Sequence, residues 1–326
     1  MELIIDKGQK FWDLNRQNVF KATPVIRFTL RQLEYLVAVA DAGSVAAAAQ
    51  GLNVSQPSVS AALAKLEQQL DVQLLIRHHA QGVSLTGSGR QLIAQARNLI
   101  SHARELQRDA RPDSARLAGD LNVGAFETLA AAYMPALVAG FAALHPEVRF
   151  HLSEGTQDDL IEGLRRGKIE LALTYDLDLP PDVDLKTLAR LESYVLLPAG
   201  HRLAQAHRLR LSQLADEPFV LLDIPPSRDY FVNLLRASGI EPRIAFASPS
   251  LELVRGLVGQ GLGYSLLVTR PAGDQTYDGR ALVVRPLGDE AVPSVVTLAA
   301  LVGVRPTRAA TAFAKHCQTW FEQPPE

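Results

Sequence analysis

Apolar positions in the first third of the chain recur at helical intervals, then give way near residue 121 to short runs separated by turns. Leu30, Leu33, Leu36, Val37 and Ala40 form a stripe behind Thr29, which can cap a helix, and the stripe stops at Asp41-Ala42-Gly43. Residues 44–70 read as two short helices joined by a tight turn. Ser44 can accept from a first-turn amide of an alanine-rich run, and Gly51 is expected to supply the left-handed residue at its end. Ser55 caps the second helix, with Pro57 in the first turn, where a missing amide costs little. Val59, Leu63, Leu66 and Leu70 then line one face, and Gln56, Ser58, Ser60, Ala61, Lys65 and Gln68 the other. A helix with one apolar side and one small polar side suits a major groove. Two amphipathic helices on a glycine turn also occur in any helical bundle.

Val72, Leu74 and Ile76 alternate, as do Val83 and Leu85, about a turn at 78–82, so a small hairpin is expected as a wing. Thr86 can cap a long helix reaching about residue 110. Its Leu92, Ala96, Leu99, Ala103, Leu106 and Ala110 form a heptad seam, with Arg97, Arg104 and Arg108 off it. The seam predicts pairing between two copies; packing on the helix's own domain is the alternative. Pro112 is expected to end the helix. Strands follow at 121–125, 148–152, 169–174, 194–197, 219–222, 244–247, 263–268, 282–284 and 295–300. They alternate with helices at 129–144, 160–166, 230–237, 251–260 and 306–321. Such alternation implies parallel βαβ units, and its extent implies two lobes with a ligand-binding cleft at strand ends.

Composition refines this picture. A 47% hydrophobic and 21% charged content is that of a soluble globular protein. The net charge is only −2, but residues 27–116 hold ten Lys/Arg against seven Asp/Glu, whereas residues 117–326 hold nineteen against twenty-five. The asymmetry allows phosphate binding by the first part. The single cysteine, Cys317, excludes a disulfide framework and fits a reducing compartment. Residues 1–26 read as a weakly ordered tail without the long apolar core of a secretory signal, and no unbroken apolar run is long enough to span a membrane. A cytoplasmic location without a membrane partner is expected. GQGLGY at 259–264 follows a helix and precedes a strand, the reverse of a dinucleotide loop, and reads as a turn. Adjacent His78 and His79 diverge on a strand end with no third ligand near, so no metal is expected. No P-loop and no Ser-His-Asp set in the right setting is found. The expectation is a non-enzyme without cofactor.

The phrases FTLRQLEYLVAVADAGSVAAAAQGLNVSQPSVSAALAKLE and LLIRHHAQGVSLTGSGRQLI resemble the LysR-type transcriptional regulators. FAALHPEVRF, LRRGKIELALTY, LLPAGHRLA and LVGQGLGYSLL extend the resemblance over all but the N-terminal tail. It departs at Asp71, where the family often has Gly, at Leu75 for Phe, and at Gly87 for Pro. Ala61 and Ala62 follow Ser60 where a long Arg is frequent. The fold class expected is α/β, with a winged helix-turn-helix at 27–86 and a dimerisation helix and hinge at 87–116. A two-lobed periplasmic-binding-protein-like effector domain follows at 117–326, with lobe I at about 117–190 and 291–326 and lobe II at about 191–290.

The resemblance implies a sequence-specific DNA-binding regulator controlled by a small effector, with a small-molecule binding protein lacking DNA function as the alternative. It places Ser55, Gln56, Pro57, Ser58, Ser60, Lys65 and the wing residue Arg77 at DNA. A glutamine such as Gln56 can pair bidentately with adenine. Phe126, Glu127, Thr128, Thr156, Tyr175, Asp176, Pro226, Ser227 and Ser250 are placed around the effector. Hydroxyls and amides at helix N-termini there favour a small anion such as a carboxylate, while Glu127 and Asp176 suit a ligand that also bears an amine. The implied partners are double-stranded promoter half-sites, the effector, a homodimer or homotetramer, and RNA polymerase.

Overall fold

The computed structural model describes residues 26–78, 82–110, 116–288 and 291–323. The expected tail at 1–25, the wing tip with His79, and the helix stop around Pro112 lie outside these residues. The head contains α1 (Leu30–Ala42), α2 (Val45–Gly51), α3 (Gln56–Leu70), β1 (Leu75–His78) and β2 (Gly82–Leu85). Each of the three helices starts where its cap predicts: Thr29, Ser44 and Ser55 accept from the amides of Gln32, Ala47 and Ser58. Gly51 does not serve as the left-handed residue after α2. The helix runs through it into Leu52, and Asn53 takes the positive φ of 54°. Asparagine tolerates that conformation better than most residues, so the glycine two positions earlier is left helical.

The long helix α4 (Gly87–Asp109) buries Gly89, Ile93, Ala94, Ala96 and Ile100. Ile93, Ala96 and Ile100 join the head core of Leu33, Leu36, Val39, Val59, Leu63 and Leu66. The expected seam is therefore divided. Ala96 faces its own domain, whereas Leu99 and Leu106 are 43% and 72% exposed.

The remaining chain forms β3 (Ala118–Phe126), α5 (Glu127–Leu144), β4 (Glu147–Gly155), α6 (Gln157–Arg165), β5 (Leu171–Tyr175) and β6 (Val183–Leu191). It continues as β7 (Tyr194–Pro198), β8 (Phe219–Leu222), α7 (Ser227–Ala237), β9 (Ile244–Ser248), α8 (Leu251–Gly259), β10 (Ser265–Leu267) and β11 (Leu282–Pro286). It closes with β12 (Ser294–Leu301) and α9 (Arg308–Glu322). Lobe I is the sheet β4-β3-β5-β12-β6, its first three strands parallel and β12 antiparallel to both neighbours. Lobe II contains β10-β7-β11 and β9-β8, linked by a bridge between Phe219 and Tyr264. Its order, β9-β8-β10-β7-β11, repeats that of lobe I. The chain crosses between lobes twice, after β6 and after β11. The two crossings touch where the Leu287 amide donates to the Ser193 carbonyl at 3.2 Å.

Among the described residues, α5 alone is long and apolar enough to cross a membrane by composition. It is instead the crossover between the parallel neighbours β3 and β4, with Leu129, Met134, Leu137 and Phe141 buried in the lobe I core. The strand β6, absent from the expected set, lies at a sheet edge with Asp184, Lys186 and Arg190 exposed and alternating with Val183, Leu185, Ala189 and Leu191. The expected strand at 263–268 shortens to β10 because Gly263 makes the turn at φ 154°, and a Cβ there would fall 2.3 Å from the Pro218 carbonyl oxygen.

Asp71 closes α3 in the left-handed region, at φ 52° and ψ 42°. Asp71→Gly is expected to stabilise the head by about 0.5–1 kcal/mol, read as a raised urea midpoint in denaturation followed on the DNA-binding domain. An unchanged or lowered midpoint would contradict strain at this position.

Candidate DNA interface and effector cleft

The outer face of α3 is held in place by groups on its inner side. Gln32, buried in α1, donates from Nε2 to the Ala62 carbonyl at 3.3 Å and to Gln69 Oε1 at 3.1 Å. Glu67 takes the other flank. Its Oε1 accepts from the amides of Leu74 at 2.7 Å and Leu75 at 3.1 Å, joining the end of α3 to the start of the wing. The wing's second strand rests on the turn before α2, where the Val83 amide donates to the Gly43 carbonyl at 2.8 Å. This approach needs glycine at position 82, whose Cβ would lie 2.4 Å from the Gly43 oxygen.

What this frame presents is small and polar. Gln56, Pro57, Ser58, Ala61, Lys65 and Gln68 are exposed, and Ser60 is half-buried. Ser55 and Ser58 are joined through hydroxyl oxygens 2.7 Å apart, so Ser55 acts as a cap and its neighbour shares the bond. Lys65 and Arg77 are exposed, with no ion pair among the described residues. His78 Nε2 lies 2.8 Å from Ser84 Oγ, which engages it within the hairpin. No group of metal-ligating side chains occurs among the described residues. None of the helices α1 to α4 carries an acid in its first turn, whereas α5, α6, α7 and α8 carry Glu127, Asp158 with Asp159, Asp229 and Glu252. The positive ends of these helices carry no first-turn acid, which suits contact with phosphate.

The helix-turn-helix pattern of the lysR family of bacterial regulators matches residues 30–90, and the LysR substrate binding domain matches residues 114–322. The chain belongs to the LysR family. TcbR, an HTH-type transcriptional regulator of Pseudomonas sp. (strain P51), is 33% identical over 221 residues, 66% of this chain and 74% of its own. The probable hydrogen peroxide-inducible genes activator of Mycobacterium leprae is 32% identical over 246 residues, 73% of this chain and 77% of its own. The crystal structure of HinK, a LysR family transcriptional regulator of Pseudomonas aeruginosa, superposes with a TM-score of 0.61. It is 40% identical and covers 90% of this chain and 99% of its own. This LysR-family chain is thus a DNA-binding transcriptional regulator with an effector-binding domain.

In that domain the two lobes meet on a chain of buried hydroxyls. Thr128 Oγ1 of lobe I lies 3.4 Å from Tyr175 Oη, which is hydrogen-bonded to Thr269 Oγ1 of lobe II. Tyr194 Oη donates to the Thr269 carbonyl at 2.9 Å. All four residues are buried, and burial raises the phenol pKa of both tyrosines. Phe126 packs edge-on against Tyr175 at 5.5 Å and is wholly enclosed. Of the expected effector residues, Phe126, Thr128 and Tyr175 therefore form the floor where the lobes join. Glu127 is half-buried and Asp176 exposed beside them.

Thr156 and Ser250 cap α6 and α8, so their hydroxyls already hold the amides of Asp159 and Leu253. Pro226 lines a cleft of about 340 Å³ between Leu177 and Asp178 of lobe I and Asp229, Tyr230 and Asn233 of α7. Ser227 opens α7, which has no side-chain cap. Thr269, Tyr194 and Asp178 carry no motif and were invisible to sequence reasoning, as were the supporting roles of Gln32 and Glu67.

Glu67→Ala is expected to cost the head about 1–3 kcal/mol, because two strand amides lose their acceptor. It should also weaken DNA binding more than Gln68→Ala on the exposed face of the same helix. Denaturation and gel-shift titrations check both.

Proposed function

We propose that the chain works as a homodimer or a dimer of dimers on double-stranded promoter half-sites, and that a small ligand bearing both an amine and a carboxylate controls it from the interlobe cleft. The exposed face of α3, braced by Glu67 and Gln32, carries the DNA half of this reading. Gln56 and Ser58 read base edges, Lys65 and Arg77 take phosphate, and Ser55 and Ser60 fix the helix start and its flank. With Ala61 and Ala62 short, DNA shape and half-site spacing supply the rest of the specificity. The exposed Leu99 and Leu106 on α4 support pairing of copies. The setting is the bacterial cytoplasm, with RNA polymerase as the downstream partner.

The amine in the ligand follows from charge. Glu127 and Asp176 flank the floor, and Asp178 faces the cleft at its α7 side, where Asp229 is neutralised by Arg228. Arg228 nearby is already engaged by Asp229 at 2.9 Å and Asp223 at 3.3 Å. The ligand carboxylate is served by the start of α7 and its Ser227. Peroxide sensing, named for the Mycobacterium leprae relative, does not carry over through thiol chemistry. Cys317 is the chain's sole cysteine, and burial in α9 pushes its thiol up to about 12.

Gel shifts with the DNA upstream of the chain's own gene should show sequence-preferring binding that falls steeply with salt. Lys65→Ala and Arg77→Ala should each reduce the log–log salt slope by about one. Absence of such binding would overturn the DNA reading. A thermal-shift panel should show stabilisation by amino acids over simple carboxylates, and Glu127→Gln should abolish the difference. An equal response to both classes, or an unchanged one in Glu127→Gln, would overturn the ligand class.

A further inference from the structure

The helix α4 has a third face that neither the head core nor the exposed leucines use. Ala94, Arg97, Asn98, His102, Glu105 and Asp109 follow one another along it and meet the chain's own effector domain. Asn98 Nδ2 donates to the Arg305 carbonyl at 2.6 Å, and His102 Nε2 reaches the same oxygen at 3.1 Å. Arg97 donates from Nε to the Arg166 carbonyl at 2.9 Å, while its Nη2 pairs with Asp41 of α1. One guanidinium therefore touches the head, the linker helix and lobe I. Gly167 admits α4 closely, since a Cβ there would sit 2.9 Å from the Ala94 Cα.

The centre of this face is the start of α9. That helix carries no acid in its first turn. Its compensating charge comes from two carboxylates remote in sequence. Glu105 Oε1 accepts from the Arg308 amide at 2.8 Å, and Glu170 Oε2 accepts from the Thr307 amide at 3.3 Å. Glu105 Oε2 also faces His102 Nδ1 at 3.0 Å, and Asp109 pairs with the Arg308 guanidinium at 2.7 Å.

The contact is polar. A cavity of about 700 Å³ remains beside it, between α4, α6 and residues 301–304. Polar interfaces of this kind between domains dissociate readily. The contact also lies at the far end of the strands that reach the cleft. β5 and β12 pair with each other, and at the cleft end the Asp176 amide donates to the Val295 carbonyl at 2.8 Å. At the other end, β5 begins next to Glu170 and β12 leads into Thr307.

We infer that Arg97, Asn98, His102 and Glu105 are positioning residues. They dock the linker helix on the start of α9 within one chain and set the angle at which each head is offered to DNA. This inference rests on the reading of the chain as an effector-controlled regulator. The docked state fixes head and lobe I as one body, and its release lets the head and α4 swing together against lobe I.

The test uses the full chain with spin labels at Ala42→Cys and Lys186→Cys, both exposed positions, the buried Cys317 being left in place. Labelled chain is diluted with unlabelled chain, so that only distances within a chain are read. One narrow distance distribution is expected for the parent. Glu105→Arg, which sets a cation against the α9 N-terminus, should at least double its width. Glu105→Gln, which keeps an acceptor oxygen for the Arg308 amide, should restore most of the narrow component. Gln107→Arg, which places a cation elsewhere on α4, should leave it unchanged. The DNA bend angle from circular-permutation gels should change in Glu105→Arg and recover in Glu105→Gln. An unaltered distribution in Glu105→Arg, an equal broadening in Gln107→Arg, or broadening with an unaltered bend would overturn the inference. Failure of the parent chain to bind the DNA at all would instead overturn the proposed function, and the distance measurement would still judge the docking.

Discussion

With 3.6 residues per turn, a helix can divide its circumference into only about three faces, and α4 commits all three. One holds Ile93, Ala96 and Ile100 in the head core. One presents hydrogen-bonding side chains to its own effector domain. The last leaves Leu99 and Leu106 in solvent. These faces differ in kind, and so in strength. The first is an apolar core, so head and helix behave as one body. The second is a row of polar bonds, each worth little net against water. The third is narrow, because Ala96 of the original seam is taken by the first. Within one chain these contacts decide how firmly the effector domain and the head are held together.

Local chemistry was legible in the sequence wherever a residue type had few alternative uses. Thr29, Ser44, Ser55 and Thr86 each start a helix at the expected position. The α/β alternation gave both lobes, because buried parallel strands and their crossover helices are apolar enough to be seen. What escaped did so for physical reasons, except at β6. That strand alternates Val183, Leu185, Ala189 and Leu191 with Asp184, Lys186 and Arg190, so its period was legible although no strand was expected there. Asn53 took the role expected of Gly51, since either residue can adopt a left-handed turn. The seam in α4 looked uniform because Ala and Leu positions do not announce which partner they meet.

The candidate site divides along the same line. The exposed residues of α3 could be picked out because a polar stripe on an amphipathic helix stands out. Glu67 could be noted only as part of a family phrase, and its hold on the Leu74 and Leu75 amides needs the wing folded back. The effector floor was half visible. Phe126, Thr128 and Tyr175 sit at strand ends, where clefts form. Thr269 and Tyr194 complete the hydroxyl chain from the other lobe, yet nothing in their local sequence distinguishes them from ordinary core-edge residues.

The repeated strand order of the lobes has a mechanical corollary. Both crossings between the lobes lie side by side, joined by the Leu287–Ser193 bond. Two adjacent pins define an axis. The lobes can open and shut about that line, but twisting one against the other would shear the bond between the crossings. About such a line the far rims of the lobes move most. The connection therefore resists twisting more than it resists opening.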